Sequence, residues 1–238
     1  MYFNRIFLCL FCVVLLFCGC RAPDEERTAT DLFLETSAEA DFIGALTFLG
    51  DSTTAHMTAR AKVAPRQVWA AKNRYLNLSS RITYEKIVCP SNGQEMTIAE
   101  VAATERPRYL VITLGVDYGV YYYRDDPETF ALYYGKLLDA IGAASPDTTL
   151  ILQSIFPVGR TSRSITNQMV QSANAVIKEI AERRSLVFVN ATEVLCDSQG
   201  YLREKYCYSE DGIHLTASAY DAILNHLKTY ESEIKAQK

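Results

Sequence analysis

A serine hydroxyl is a poor nucleophile at neutral pH until an imidazole takes its proton, and the imidazole needs a carboxylate to fix its tautomer and stabilise its charge. This 238-residue chain places all three groups where they could act together. Ser52 lies in Phe48-Leu49-Gly50-Asp51-Ser52-Thr53, directly after a run of apolar, β-favouring residues. Asp211 and His214 lie three apart in Asp211-Gly212-Ile213-His214-Leu215-Thr216. In a turn entering a helix, that spacing lets the Asp211 carboxylate accept from one ring nitrogen of His214 and leaves the other to face a serine. A serine that ends a strand and starts a helix is exposed, and the N-terminal amides around it favour developing negative charge.

The elements that must position these groups can be read coarsely. Short runs rich in Val, Ile, Leu and Thr recur at "LTFLG", near "RITYEKIV", and at "YLVITLG", "TLILQSI" and "LVFVN". Helical patterns lie between them. "SITNQMVQSANAVIKEIAERR" sets Ile165, Met169, Ala173, Val176, Ile177 and Ile180 on one face, with Ser164 as a candidate N-cap. Asp126-Pro127 opens another helix with a cap and a first-turn proline. A last helix, from about 217 to 234, carries Tyr220, Ile223, Leu224 and Leu227. Continuous apolar strands separated by amphipathic helices predict an α/β fold, a three-layer α/β/α sandwich with a parallel central sheet. In such sheets the site lies at the carboxyl ends of the strands. Asp51 and Ser52, residues 116–119, residues 156–160 and residues 209–220 should therefore meet on one rim.

The two short blocks, in this order within an α/β chain of this size, resemble the first and last sequence blocks of the SGNH, or GDSL-type, hydrolases. The resemblance covers about residues 46–227 and implies an SGNH/flavodoxin-like sandwich. It also implies Ser52 as nucleophile, His214 as base and Asp211 as orienting acid. The family's third block reads Gly-x-Asn-Asp; here Leu114-Gly115-Val116-Asp117-Tyr118-Gly119 carries Asp117 where that Asn belongs. Gly115, Asp117 and Tyr118 are the candidate oxyanion or substrate-binding residues. An ionised Asp117 would repel an oxyanion. It could donate only if protonated, or it could read a substrate hydroxyl or cation instead. The glycine of the family's second block has no counterpart between Gly50 and Gly93, so a backbone amide from residues 73–80 would have to serve.

The other residue types mostly exclude. A formal charge of −4 and a pI near 5.5 leave no basic stripe, so nucleic acid is not an expected partner. Three histidines, His56, His214 and His226, without a Cys or carboxylate cluster at ligand spacing give no metal site, and no cofactor is expected. His56, one helical turn beyond Ser52, is expected to point away from the rim, and His226 to be exposed. Tyr121 to Tyr123 could stack on sugar rings or pack over a sheet edge, and Arg160 could bind an anion or be solvated.

Residues 1–19 read as an export signal, with Arg5 followed by an apolar run from Ile6 to Cys18. The ending Gly19-Cys20 resembles a bacterial lipoprotein signal, which implies lipidation of Cys20, a polar tether over 20–40 and an extracytoplasmic, membrane-anchored domain over 41–238. Simple secretion or an uncleaved anchor are the alternatives. Export permits disulfides, and Cys196 and Cys207 bracket a polar loop that a bridge would close for roughly 3 kcal/mol; two thiols are the other possibility. The expected function is hydrolysis of an O-acyl ester, acetyl first, on a small molecule or glycan of the cell envelope. A catalytically silent glycan-binding or envelope-assembly protein on the same fold and an O-acyltransferase are the alternatives.

Overall fold

The computed structural model describes residues 42–208 and 211–237; the expected leader, Cys20 and the whole tether fall outside them. Among the described residues there are seven strands: β1 Leu46–Gly50, β2 Val68–Trp69, β3 Lys86–Val88, β4 Glu95–Thr97, β5 Tyr109–Thr113, β6 Thr149–Gln153 and β7 Val187–Val189. The helices are α1 Ser52–Ala55, α2 Met57–Arg60, α3 Ile98–Glu105, α4 Pro127–Ala144, α5 Asn167–Arg183, α6 Thr192–Leu195, α7 Ala217–Thr229 and α8 Glu231–Ala236. Five strands form one parallel sheet in the order β2-β1-β5-β6-β7.

Side chains alternate across this sheet and both faces are covered. Leu49, Leu110, Ile112 and Leu152 meet α3, α4 and α5, which contribute Val101, Phe130, Leu137 and Ile177. Leu46, Phe48, Val111, Ile151 and Val189 meet the other layer, where α7 contributes Tyr220, Ile223, Leu224 and Leu227. The three-layer sandwich with a parallel central sheet is thus the fold of this chain.

Four details depart from the sequence reading. The second strand of the parallel sheet is Val68–Trp69, too short to register as a pattern. The "RITYEKIV" strand is confined to Lys86–Val88, where it pairs antiparallel with β4 in a separate two-stranded sheet. α5 is capped by Thr166, whose side chain accepts the Met169 amide, and not by Ser164. The last helix breaks at Tyr230 into α7 and α8. Asp126 caps α4 as read, accepting the Thr129 amide with Pro127 in the first turn. Cys196 and Cys207 are not joined in a disulfide; each instead takes part in a backbone bridge, Cys196 with Leu202 and Cys207 with Leu215.

Candidate active site

The serine turn is built around a glycine that no other residue could replace. A Cβ on Gly50 would lie 2.1 Å from the Thr113 carbonyl and 2.2 Å from the Thr54 hydroxyl. With only a hydrogen there, β1 runs beside β5 to its last residue and the chain turns straight into α1. Asp51 then points inward and is 1% exposed. Its Oδ2 accepts the amides of Gly115, Val116 and Asp117 at 3.0, 2.9 and 3.4 Å, and its Oδ1 accepts the Thr53 hydroxyl at 3.1 Å. One carboxylate thereby ties the serine turn to the loop after β5. Burial, and then the neighbouring charge of Asp117, push the Asp51 carboxyl up to about 7, against the lowering effect of the three amides.

Asp117 is brought to Ser52 by that tie. The Ser52 hydroxyl donates to Asp117 Oδ1 at 2.7 Å and the Ser52 amide donates to Oδ2 at 3.0 Å. Both carboxylate oxygens thus accept from Ser52. Burial raises the Asp117 carboxyl, while the two bonds from Ser52 and the charge of His214 act the other way.

On the far side of the rim, Asp211 does two jobs at its spacing of three. Oδ1 accepts the Ile213 amide at 2.7 Å, closing the turn, and Oδ2 meets His214 Nδ1 at 2.7 Å. Gly212 between them has φ +74, and a Cβ there would lie 2.5 Å from the Ser162 amide, so the turn requires glycine. Two contacts bring this pair against the serine helix. The buried Tyr220 hydroxyl, on α7, donates to the Thr53 carbonyl at 2.7 Å, and the rings of His56 and His214 lie 4.5 Å apart between centroids. With Nδ1 engaged by Asp211, Nε2 is the ring nitrogen of His214 left for the serine. In this structure the Ser52 hydroxyl bonds to Asp117 instead.

Three expectations are corrected here. Gly115 is not a substrate-facing donor: it is buried, with φ +130, its amide is taken by Asp51 and its carbonyl by the Val120 amide. His56 does not point away. Residues four apart on a helical turn share a face, so it follows Ser52 to the rim; burial first, then the charges of His214, Arg60 and Arg74, push its ring down to about 4. His226 is not exposed, its side chain being 10% accessible with Nε2 on the Asn190 carbonyl. Tyr118 is half-buried and stacks on Tyr122 with centroids 4.0 Å apart. Arg160 is held by Asp197 at 2.7 Å and lies over the Tyr201 ring. From the segment in which a second oxyanion amide was sought, Arg74 comes near enough for its charge to bear on His56. Among the described residues no cluster of His, Cys, Asp and Glu could hold a metal, and no helix is long and apolar enough to cross a membrane.

A serine at the carboxyl end of the first strand, an Asp-His turn ahead of a late helix and a parallel sheet between helical layers together define the SGNH type of α/β fold. The chain belongs to the GDSL-like lipase/acylhydrolase family, whose model matches residues 48–222. Among solved structures it is similar to a GDSL-like lipase from Bacteroides thetaiotaomicron, at 16% identity and TM-score 0.52 over 84% of this chain and 97% of that one. It is also similar to a family 3 carbohydrate esterase from Clostridium thermocellum, at 17% identity and TM-score 0.51 over 80% and 96%. A family 3 carbohydrate esterase from Talaromyces cellulolyticus aligns at 14% identity and TM-score 0.51 over 81% and 99%. At these identities the likeness is one of fold. No curated protein matches the chain in sequence.

Proposed function

We propose that this protein is an exported, lipid-anchored serine esterase that removes an O-acyl group, acetyl first, from a carbohydrate or cell-envelope substrate. The observation that carries the reading is the 2.7 Å bond between Asp211 and His214 on the same rim as Ser52. Ser52 Oγ attacks the ester carbonyl while His214 Nε2 takes its proton. The tetrahedral intermediate collapses as His214 returns that proton to the departing sugar oxygen, leaving an acyl-Ser52 ester. Water, deprotonated by the same nitrogen, then releases the acid. The Ser52 amide is the oxyanion donor of this scheme, and Asp117 must yield both the amide and the hydroxyl before attack. Giving up a hydrogen bond to a charged group costs about 1.5–3 kcal/mol, or roughly 10- to 100-fold in rate.

Support for a carbohydrate ester comes from two of the similar structures being carbohydrate esterases and from the exposed tyrosines 121 and 122 on the loop after β5. Support for the anchor is Gly19-Cys20 after an apolar run. Mass spectrometry of the mature N-terminus tests it: a diacylglyceryl-modified Cys20 is expected, and an unmodified terminus further along would mean secretion. The esterase is tested with p-nitrophenyl esters from acetate to palmitate beside a Ser52→Ala control. Cleavage should be strongest on acetate and absent from the control; equal cleavage by the control would end the serine mechanism.

The double bond from Ser52 to Asp117 favours a second reading, a catalytically silent glycan-binding protein on the same fold. A fluorophosphonate probe separates the two, because a silent protein leaves Ser52 unlabelled.

A further inference from the structure

The chain between β2 and β3 has almost no regular structure, yet it is firmly placed. Leu76, Leu78 and Ile82 are fully buried in the core. Between and just outside these anchors, Tyr75, Asn77, Arg81 and Tyr84 line one cleft with Lys72, Asn73, Glu85, Lys86 and Glu95, enclosing about 640 Å³. That volume lies in the ~300–1,000 Å³ range of small-molecule sites. Tyr75 is 59% exposed and Tyr84 69% exposed, so both rings stand open on the cleft wall. Leu76 beside Tyr75 and Ile82 two residues before Tyr84 fix the backbone from which these rings project.

The chemistry of the lining is mixed in a particular way. Two ring faces carry negative quadrupoles, which suit the C–H faces of pyranose rings. Asn73 uses its side-chain oxygen on the Tyr75 amide, which leaves its NH2 group to donate. Asn77 adds a second side-chain amide, and Arg81 and Lys86 add donors for hydroxyls. Lys72 and Glu95 stand 3.9 Å apart and offset each other's charge. The lining is rich in hydrogen-bonding groups, close to neutral and only partly apolar, which fits neither an acyl chain nor a polyanion.

Position links the cleft to the reaction. β2 is the neighbour of β1 in the sheet, so the loop leaving β2 stands beside the serine turn. Arg74, between Asn73 and Tyr75, reaches His56 with its charge.

We propose that this cleft is an oligosaccharide subsite, holding neutral sugar residues of the chain that bears the ester, with Tyr75 and Tyr84 as stacking platforms. It deepens the carbohydrate-ester reading and rests on it. The test is isothermal titration of two probes, hexa-N-acetylchitohexaose and xylohexaose, into the full-length Ser52→Ala protein, where binding is read without turnover. Saturable binding of at least one is expected, weakened about tenfold or more when Tyr75→Ala and Tyr84→Ala are added together. Thermal unfolding of each variant is followed alongside; should the double variant fail to fold, Asn77→Ala and Arg81→Ala carry the same measurement. Binding of neither sugar, or binding that these variants leave intact, overturns the subsite. Failure of the wild-type chain to cleave aryl acetate would bear on Ser52 instead and would leave this binding result standing.

Discussion

Asp117 holds Ser52 at both of the groups that acyl transfer needs, the hydroxyl at 2.7 Å and the amide at 3.0 Å. On the proposed scheme, one carboxylate therefore masks both the nucleophile and an oxyanion donor. Replacing it with Asn removes the negative charge, leaves one side-chain oxygen to accept from Ser52 where there were two, and offers an N–H to the oxyanion. Asp117→Asn should raise kcat on p-nitrophenyl acetate by about tenfold or more. A change within about twofold, with an unaltered pH-rate profile, would show that Asp117 leaves Ser52 without resistance during turnover.

His214→Ala should abolish ester cleavage with little effect on thermal unfolding, since the ring lies on the rim and outside the core. Asp211→Asn keeps an oxygen for the Ile213 amide but can turn an N–H toward the imidazole, which favours the wrong tautomer; kcat should fall by about 10³-fold or more. A loss under about tenfold would mean that another group orients His214.

The neutral ring of His56 backs that of His214, and its Nδ1 is buried without a partner. His56→Phe keeps the ring and removes the unsatisfied atom. It should unfold at higher temperature, by about 1 kcal/mol of added stability, with kcat kept within about threefold. His56→Ala removes the backing and should lower kcat about tenfold while leaving KM in place. Equal behaviour of the two variants would show that the ring does not position His214.

The Asp51 carboxyl titrates near 7 in the folded chain against an ordinary 3.8. Between those values the folded state keeps a proton that the unfolded state has released. The stability this confers is complete below about pH 4 and is lost as pH rises through 7. From about pH 5 to about pH 8 the wild type should lose about 3 kcal/mol relative to Asp51→Asn, at about 1.36 kcal/mol per unit between the two titrations. Parallel stability curves would place an ionised Asp51 across the whole range.

The layers, the strand ends and the Asp211 turn were legible in the sequence because each rests on a local pattern: an apolar run, a helical stripe, a spacing of three. What escaped depends on pairing between distant segments. Val68–Trp69 is a strand because it lies beside Phe48 and Leu49, and two residues carry no period. Asp51 looked like a companion of Ser52, and its inward turn onto the 115–117 amides, 64 residues away and more, leaves no mark in either segment. The same holds for the grip of Asp117 on Ser52. His56 was misread by a local rule that was available, the shared face of residues four apart. In the β2 to β3 segment, alternation of Leu76, Leu78 and Ile82 with outward polar residues was present but too irregular for either period.

The parallel ladder has a kinetic corollary. Leu46 pairs with Tyr109, and Ile151 with Val187, so no strand of the central sheet finds its neighbour through a tight hairpin. The pairings close loops of 20 residues, from Phe48 to Val68, up to 63, from Leu46 to Tyr109, before they are rewarded, which makes for slow folding. Ser52 emerges from the ribosome well ahead of His214, with β5, β6 and β7 made in between. A nascent or partly folded chain thus displays Ser52 before His214 has joined it. Reaction with an active-site phosphonate should consequently trail the recovery of helical circular dichroism during refolding, and it would count only the molecules whose carboxyl-terminal layer has docked.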